Sequence, residues 1–222
     1  MDALLNPVEA RVLGALVEKE ITTPNYYPLT LSSLASACNQ KSNRNPVTDL
    51  SDKDIARATY SLREKHLAWE TAPAGSRVTK FSHNIQQELR LSDEQQAVLC
   101  ELLLRGPQTI GELRTHCERM HPLGDIAQAA EIIQSLVEHP DGALAVQLPR
   151  EPGRRENRYA HLLCGEPEIP EEQPVELKQS SAMLEVRAEN ERIAELENQV
   201  KELWSQMSEL SRQLAEFKEQ FD

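Results

Sequence analysis

The sequence predicts a mainly α chain carrying two small β-hairpins, with a separate helix at its C-terminal end. Three observations predict it: an internal duplication, a switch from helical to extended periodicity late in each copy, and a heptad repeat beyond a change in composition. The duplication is read helix by helix. Asn6-Pro7-Val8-Glu9 opens the first helix, with Asn as cap, Pro in the first turn and Glu placed to reach back. Ser92-Asp93-Glu94-Gln95 makes a similar start 86 residues later. Val12, Leu13, Leu16 and Val17 then match Val98, Leu99, Leu102 and Leu103, spacings that place an apolar stripe on one side of a helix.

A second helix begins at Thr30 with Leu31, Leu34 and Cys38 inward, and is echoed from Thr109 by Ile110, Leu113 and Cys117. A third begins near Asp54 ("DIARATYSL") and is echoed from Asp125 ("DIAQAAEII"). The offset falls from 79 to 71 between these pairs, so the first copy carries a longer loop ahead of its third helix. Extended segments at 67–71 and 77–82 flank "APAGS", a turn signal, and segments at 143–148 and 157–162 flank "PREPGRRE". Three helices closed by a two-stranded hairpin is the winged-helix pattern, a helix-turn-helix variant. The expectation is therefore two tandem winged-helix domains, 1–86 and 87–164, followed by a Pro/Glu-rich linker (165–181) and a coiled-coil helix (182–222). The heptad core is Ile193, Leu196, Val200, Leu203, Met207, Leu210, Leu214, Phe217 and Phe221. Starting at Ala182, the helix would be roughly 60 Å long at ~1.5 Å per residue. Homodimerisation through this helix is the favoured reading, and a lone amphipathic helix folded back on the chain is the other.

Charge is unevenly placed. The chain has 222 residues and a net charge of −12. Residues 1–86 hold ten Lys and Arg against nine Asp and Glu, while residues 166–222 hold six against fifteen. The first third can meet a phosphate backbone, whereas the whole molecule would be repelled by one. No signal peptide is recognised and the densest apolar run, Ala97 to Leu104, is short and broken by Glu101, so no membrane association is expected. Cys38, Cys100, Cys117 and Cys164 lack CxxC pairing and read as reduced thiols of a cytoplasmic protein.

Neither a nucleophile elbow nor a Gly-rich phosphate loop occurs, so an enzyme is not expected, and neither is a cofactor. Cys117 with His121, and His161 with Cys164, have spacings a metal could use; Cys117 matches the core position of Cys38, and a metal is not expected at either pair. Nucleic-acid contact is the chemistry that remains. In the first copy Ile55, Ala58, Thr59 and Leu62 form the inward stripe of the third helix, leaving Lys53, Arg57, Tyr60, Ser61 and Glu64 outward. Arg77 and Lys80 lie in its hairpin. The corresponding face of the second copy offers Asp125, Gln128, Glu131, Gln134 and Glu138, acidic or amide and none basic, which would repel phosphates. Its hairpin carries Arg150, Arg154, Arg155 and Arg158, readable as a grip on phosphate or an acidic protein, or as a solvated turn.

The stretch "SACNQKSNRNPV" (36–47) falls in the long loop of the first copy. Lys41, Asn43 and Arg44 are candidate contacts to DNA or to a partner protein; the alternative is that the amides close their own turns. On the contact reading, Ala at Lys41 and Arg44 leaves stability nearly unchanged and weakens binding. A large loss of stability would mark the loop as a structural clasp.

"EARVLGALVEKEITTPNYYPL", "ACNQKSNRNPV", "SRVTKF", "LLLRGPQTIGELR" and "REPGRRENRYAHL", in this order, resemble the YceH-like family of uncharacterised bacterial proteins over about residues 4–163. The resemblance implies a tandem winged-helix fold in a bacterial cytoplasm and implies no catalytic residues. The heptad helix lies outside it. Two functions follow as expectations: a DNA-binding, regulator-like protein acting through its first domain, or a protein-interaction scaffold that binds no nucleic acid.

Overall fold

Asn6 caps the first helix by accepting from the backbone N–H groups of Val8 and Glu9, while the Glu9 carboxylate accepts from Asn6 N. This helix, α1, runs Pro7–Thr22 in the computed structural model, which describes residues 5–72, 78–151 and 153–167 and single helical positions at 192, 196, 199, 201–203 and 207. A short 3-10 turn, Pro24–Tyr26, leads into β1 (Leu29–Thr30), α2 (Leu31–Cys38), α3 (Asp52–Glu64), β2 (Ala68–Thr71) and β3 (Lys80–His83). A single turn, α4 (Ile85–Glu88), connects to α5 (Asp93–Arg105), α6 (Ile110–Cys117), α7 (Ile126–Val137), β4 (Ala145–Gln147) and β5 (Tyr159–His161). Reciprocal capping pairs Ser51/Asp54, Ser92/Gln95, Thr109/Glu112 and Asp125/Gln128 start α3, α5, α6 and α7, which is why these boundaries were legible.

The strands are small and antiparallel. Three form a sheet in the order β1-β3-β2, with Leu29 opposite Phe81 and Trp69 opposite Ser82. β4 and β5 pair through Val146 and Ala160. The sequence does not predict β1: two residues after "TPNYYP" are too short to show an alternation. The second copy repeats the feature as a bridge between Gln108 and Tyr159, equivalent to the Leu29–Phe81 pair.

The largest departure from the sequence expectation concerns the two opening helices. A one-sided apolar stripe predicts one buried face, yet α1 is buried continuously from Glu9 to Glu18 and α5 from Gln96 to Leu104. The reason is packing. Each helix covers its own copy on one side and lies against the other helix on the opposite side, so the two copies share one core. Gly14 permits the approach: a Cβ there would lie 3.0 Å from Leu104 Cγ and 3.1 Å from Leu103 Cβ. At the same crossing the Cys100 thiol donates to Gly14 O at 3.3 Å. Leu5 N donates to Leu163 O at 2.6 Å, joining the two ends of the duplicated region. Residues Met1–Ile169 form one compact unit and Pro170–Asp222 a second. No helix among the described residues is long and apolar enough to cross a membrane.

In the second unit Leu196, Leu203 and Met207 are helical and exposed. The other heptad positions, Ile193, Val200, Leu210, Leu214, Phe217 and Phe221, lie outside the described residues, as do most of the linker and Arg77.

Candidate nucleic-acid interface and the clasp behind it

α3 is amphipathic, and its sides fall where the sequence places them. Ile55, Ala58, Thr59 and Leu62 are buried, whereas Lys53, Arg57, Tyr60 and Glu64 are exposed and Ser61 is half-buried. Arg63 is committed locally: its guanidinium stacks on the Tyr60 ring at 4.8 Å and pairs with Glu70 at 3.0 Å. Lys53 and Arg57 make no ion pair within 4.0 Å among the described residues, nor does exposed Lys41 in the loop leading to α3. Lys80 is half-buried on β3, opposite Thr71 and Thr30.

The long loop, 39–51, is pinned from both ends. Asn39 closes it with its amide: Nδ2 donates to Leu50 O at 2.9 Å and Leu50 N donates to Asn39 Oδ1 at 2.8 Å. Its sequence neighbourhood places Arg44 among the surface contacts. The structure corrects this, because its side chain is wholly buried. Its Nη1 and Nη2 fork onto Glu18 at 3.0 and 2.5 Å, and Nε and Nη2 donate to Ala37 O at 3.1 and 2.8 Å. A fifth bond, Nη1 to Asn43 O at 2.8 Å, explains the left-handed turn there (φ 57°), a conformation Asn tolerates. Asn43 also faces inward, its Oδ1 accepting from Arg105 Nη2. Asn45 N donates to Leu104 O at 3.0 Å, and Arg11 Nη2 donates to Pro46 O at 2.7 Å. The loop is therefore fastened to α1 and α5, and Lys41 is the cation it leaves exposed.

Arg44 is one end of a chain of alternating charge built on two buried carboxylates. Glu18 also takes Arg119 Nη1 at 2.6 Å; Arg119 Nη2 reaches Glu101 Oε1 at 2.8 Å; Arg105 Nε lies 2.9 Å from Glu101 Oε2, near enough to pair although its N–H is not aligned for a hydrogen bond. Both glutamate side chains are fully buried. Burial works to raise the Glu18 pKa, but the Arg44 and Arg119 guanidiniums outweigh it and hold the carboxyl below its ordinary range. One signal for this network stood in the sequence: Glu18 and Glu101 lie at or within the long apolar runs of α1 and α5, where a charge is admitted only if it is paired.

His116 terminates the chain, and its tautomer follows from its neighbours. Gln108 Nε2 donates to Glu101 O at 3.1 Å, so Gln108 Oε1 is an acceptor; His116 Nδ1, 2.5 Å away, carries the proton. Its Nε2 is then the acceptor that faces Arg105 Nη1 at 3.3 Å. Burial lowers the His116 pKa first, and Arg105 and Arg119 add to the depression against Glu101 and Glu112. The folded state therefore binds its proton at lower pH than the unfolded chain does. Stability contributed by neutral His116 is full above about pH 7 and is lost as pH falls through the ordinary value of 6.5 towards the depressed one. Denaturation of wild type and His116→Gln at pH 7.5 and 5.5 checks this. The wild type is expected to lose more stability than the variant on acidification, and equal losses refute the assignment.

The remaining candidates sit elsewhere. Asp125, Gln128, Glu131, Gln134 and Glu138 are exposed on or beside α7, joined by exposed Ile126. Arg150, Arg154 and Arg155 are exposed in the β4–β5 connection. Cys117 is buried in the core, and His121 faces Glu94 at 3.8 Å. His161 is half-buried, and its removal from solvent lowers its pKa to about 4.

Residues 5–154 match the family described as "Protein of unknown function, DUF480". The chain is 52% identical over 222 residues to a UPF0502 protein of Geobacter sulfurreducens and 54% identical over 222 residues to one of Geobacter metallireducens, each covering the whole of both chains. A UPF0502 protein of Vibrio atlanticus is 42% identical over 204 residues, covering 90% of this chain and 92% of its own. The Geobacter matches run through the heptad segment, so likeness to relatives extends beyond the region in which the sequence motifs lie.

Proposed function

We propose, on the premise that this chain belongs to the DUF480 family of proteins of unknown function, that it is a non-enzymatic tandem winged-helix protein that binds duplex DNA through its first copy. α3 is the helix that enters the groove, with Lys53 and Arg57 at phosphates and Tyr60 beside them. Lys41 and the hairpin's Lys80 flank the contact, and the C-terminal heptad helix pairs two copies in the cytoplasm. One observation carries this reading. Arg44, Arg105 and Arg119 are committed to the fully buried carboxylates of Glu18 and Glu101, while Lys41, Lys53 and Arg57, on α3 or the loop that leads to it, are exposed and make no ion pair among the described residues. Cations that hold the fold are thus distinct from cations left for a partner.

Fluorescence anisotropy with a random-sequence 20-base-pair duplex, titrated at several salt concentrations, tests it. The double variant Lys53→Gln/Arg57→Gln is expected to bind at least ~10-fold more weakly at low salt, with the salt slope reduced by ~2, about one per lost phosphate contact. Wild-type binding weaker than ~100 μM at low salt, or a variant indistinguishable from it, sinks the proposal.

A second reading rests on the α7 face, where Ile126 is 62% exposed among acidic and amide side chains with no cation. That composition suits a protein partner better than a phosphate backbone. It becomes the leading reading if the wild type fails to bind the duplex.

A further inference from the structure

The β4–β5 connection holds four arginines within nine residues, in a copy whose α7 face carries no cation. Its base is anchored: Leu148 N donates to Arg158 O at 2.8 Å, and Gln108 and Tyr159 exchange backbone hydrogen bonds at 3.0 and 2.7 Å. These bonds set the hairpin beside the start of α6. Between them lies a cavity of about 270 Å³ lined by Thr109, Glu112, Arg154, Arg155, Glu156 and Arg158.

We propose that this cavity is a phosphate-binding site, with Arg155 and Arg158 as its principal ligands and Arg154 at its mouth. Every residue that lines it is polar or charged, and none is aromatic or aliphatic. Its volume is ample for a phosphoryl group. The three guanidiniums outnumber the two carboxylates, and their own pairings are loose: Arg158 to Glu112 at 3.6 Å and Arg154 to Glu151 at 3.5 Å. The arginines that meet the fully buried Glu18 and Glu101, by contrast, pair at 2.5–2.9 Å. Arg155 makes no ion pair within 4.0 Å among the described residues, and Arg158 Nε is buried without a hydrogen-bond partner there. A buried donor left open is costly, and an anion that takes bidentate N–H groups would satisfy it.

Phosphate could come from a DNA backbone, making the hairpin a second contact that rests on the proposed function, or from a free phosphorylated ligand, which does not. The test measures the full chain by NMR titration with inorganic phosphate and by anisotropy with the 20-base-pair duplex. It compares wild type, Arg155→Gln, Arg155→Gln/Arg158→Gln and Lys53→Gln/Arg57→Gln. Arg155→Gln removes an exposed side chain that makes no ion pair among the described residues, so its melting temperature is expected to match wild type and any binding loss is not unfolding.

If the duplex is the source, both hairpin variants weaken its binding, the double variant by ~10-fold or more with a salt slope smaller by ~2. If a free ligand is the source, inorganic phosphate shifts signals of the hairpin and of Thr109, both variants abolish the shift, and duplex binding is unaffected by them. Phosphate binding of this kind with no duplex binding by wild type leaves the site standing while the DNA reading fails. Hairpin variants that alter neither titration overturn the site.

Discussion

Arg44→Ala is expected to destabilise the first unit by roughly 3–5 kcal/mol, the usual cost of removing one partner from a buried ion pair. The substitution deletes the fork onto Glu18 and both bonds to Ala37 O, and leaves a fully buried carboxylate with Arg119 and, more distantly at 3.6 Å, Lys19. At ~2–4 °C per kcal/mol for a unit of this size, the melting temperature falls by about 6–20 °C. Lys41→Ala, three residues away and exposed, is expected to stay within ~0.5 kcal/mol of wild type. The pair of variants thus separates clasp from surface within one loop. Arg44→Lys keeps the charge without the planar fork and should recover only part of the loss. A melting temperature for Arg44→Ala within 2 °C of wild type would remove the clasp assignment, by the same ~2–4 °C per kcal/mol.

Gly14→Leu is the second change expected to have a large effect. A lone Cβ at this position would already meet Leu104 Cγ and Cδ2 at 3.0 Å, so an isobutyl group fits only if α1 and α5 separate. Overpacking of this kind costs typically ~1–3 kcal/mol and occasionally more; the upper end is expected here, because the crossing joins two copies that share one core. Gly14→Ala is the milder control. Its gain of about 1 kcal/mol in helix propensity is set against a contact that needs only a few tenths of an ångström of relief. Urea denaturation checks both. Wild type is expected to unfold in one transition, and Gly14→Leu at a clearly lower midpoint or in two steps as the copies uncouple. An unchanged midpoint for Gly14→Leu would show that the helix crossing carries little of the stability.

Both predictions concern the boundary between the copies, where sequence reading is weakest. A duplicated pattern reports what each copy does alone. The apolar positions at Val12, Leu16, Val98 and Leu102 are equally compatible with two separate cores or one shared core. Glycine at position 14 and the thiol at position 100 acquire their meaning only from the residues that approach them.

Much of the fold was nevertheless written in the chain. Side-chain oxygens at Asn6, Ser51, Ser92, Thr109 and Asp125 are bound by backbone donors two or three residues on, a local interaction that needs no tertiary partner, so the helix starts were readable. The buried and exposed sides of α3 followed from its period, which depends only on helix geometry. What the loop 39–51 does was decided by tertiary structure. Its amides and cations are the residue types a nucleic-acid surface uses, and composition cannot distinguish Lys41, which stays in water, from Arg44, which lies in the core. That distinction depends on Glu18 and Arg119, distant in sequence, arriving at the same point, because a charge can be buried only where an opposite charge meets it.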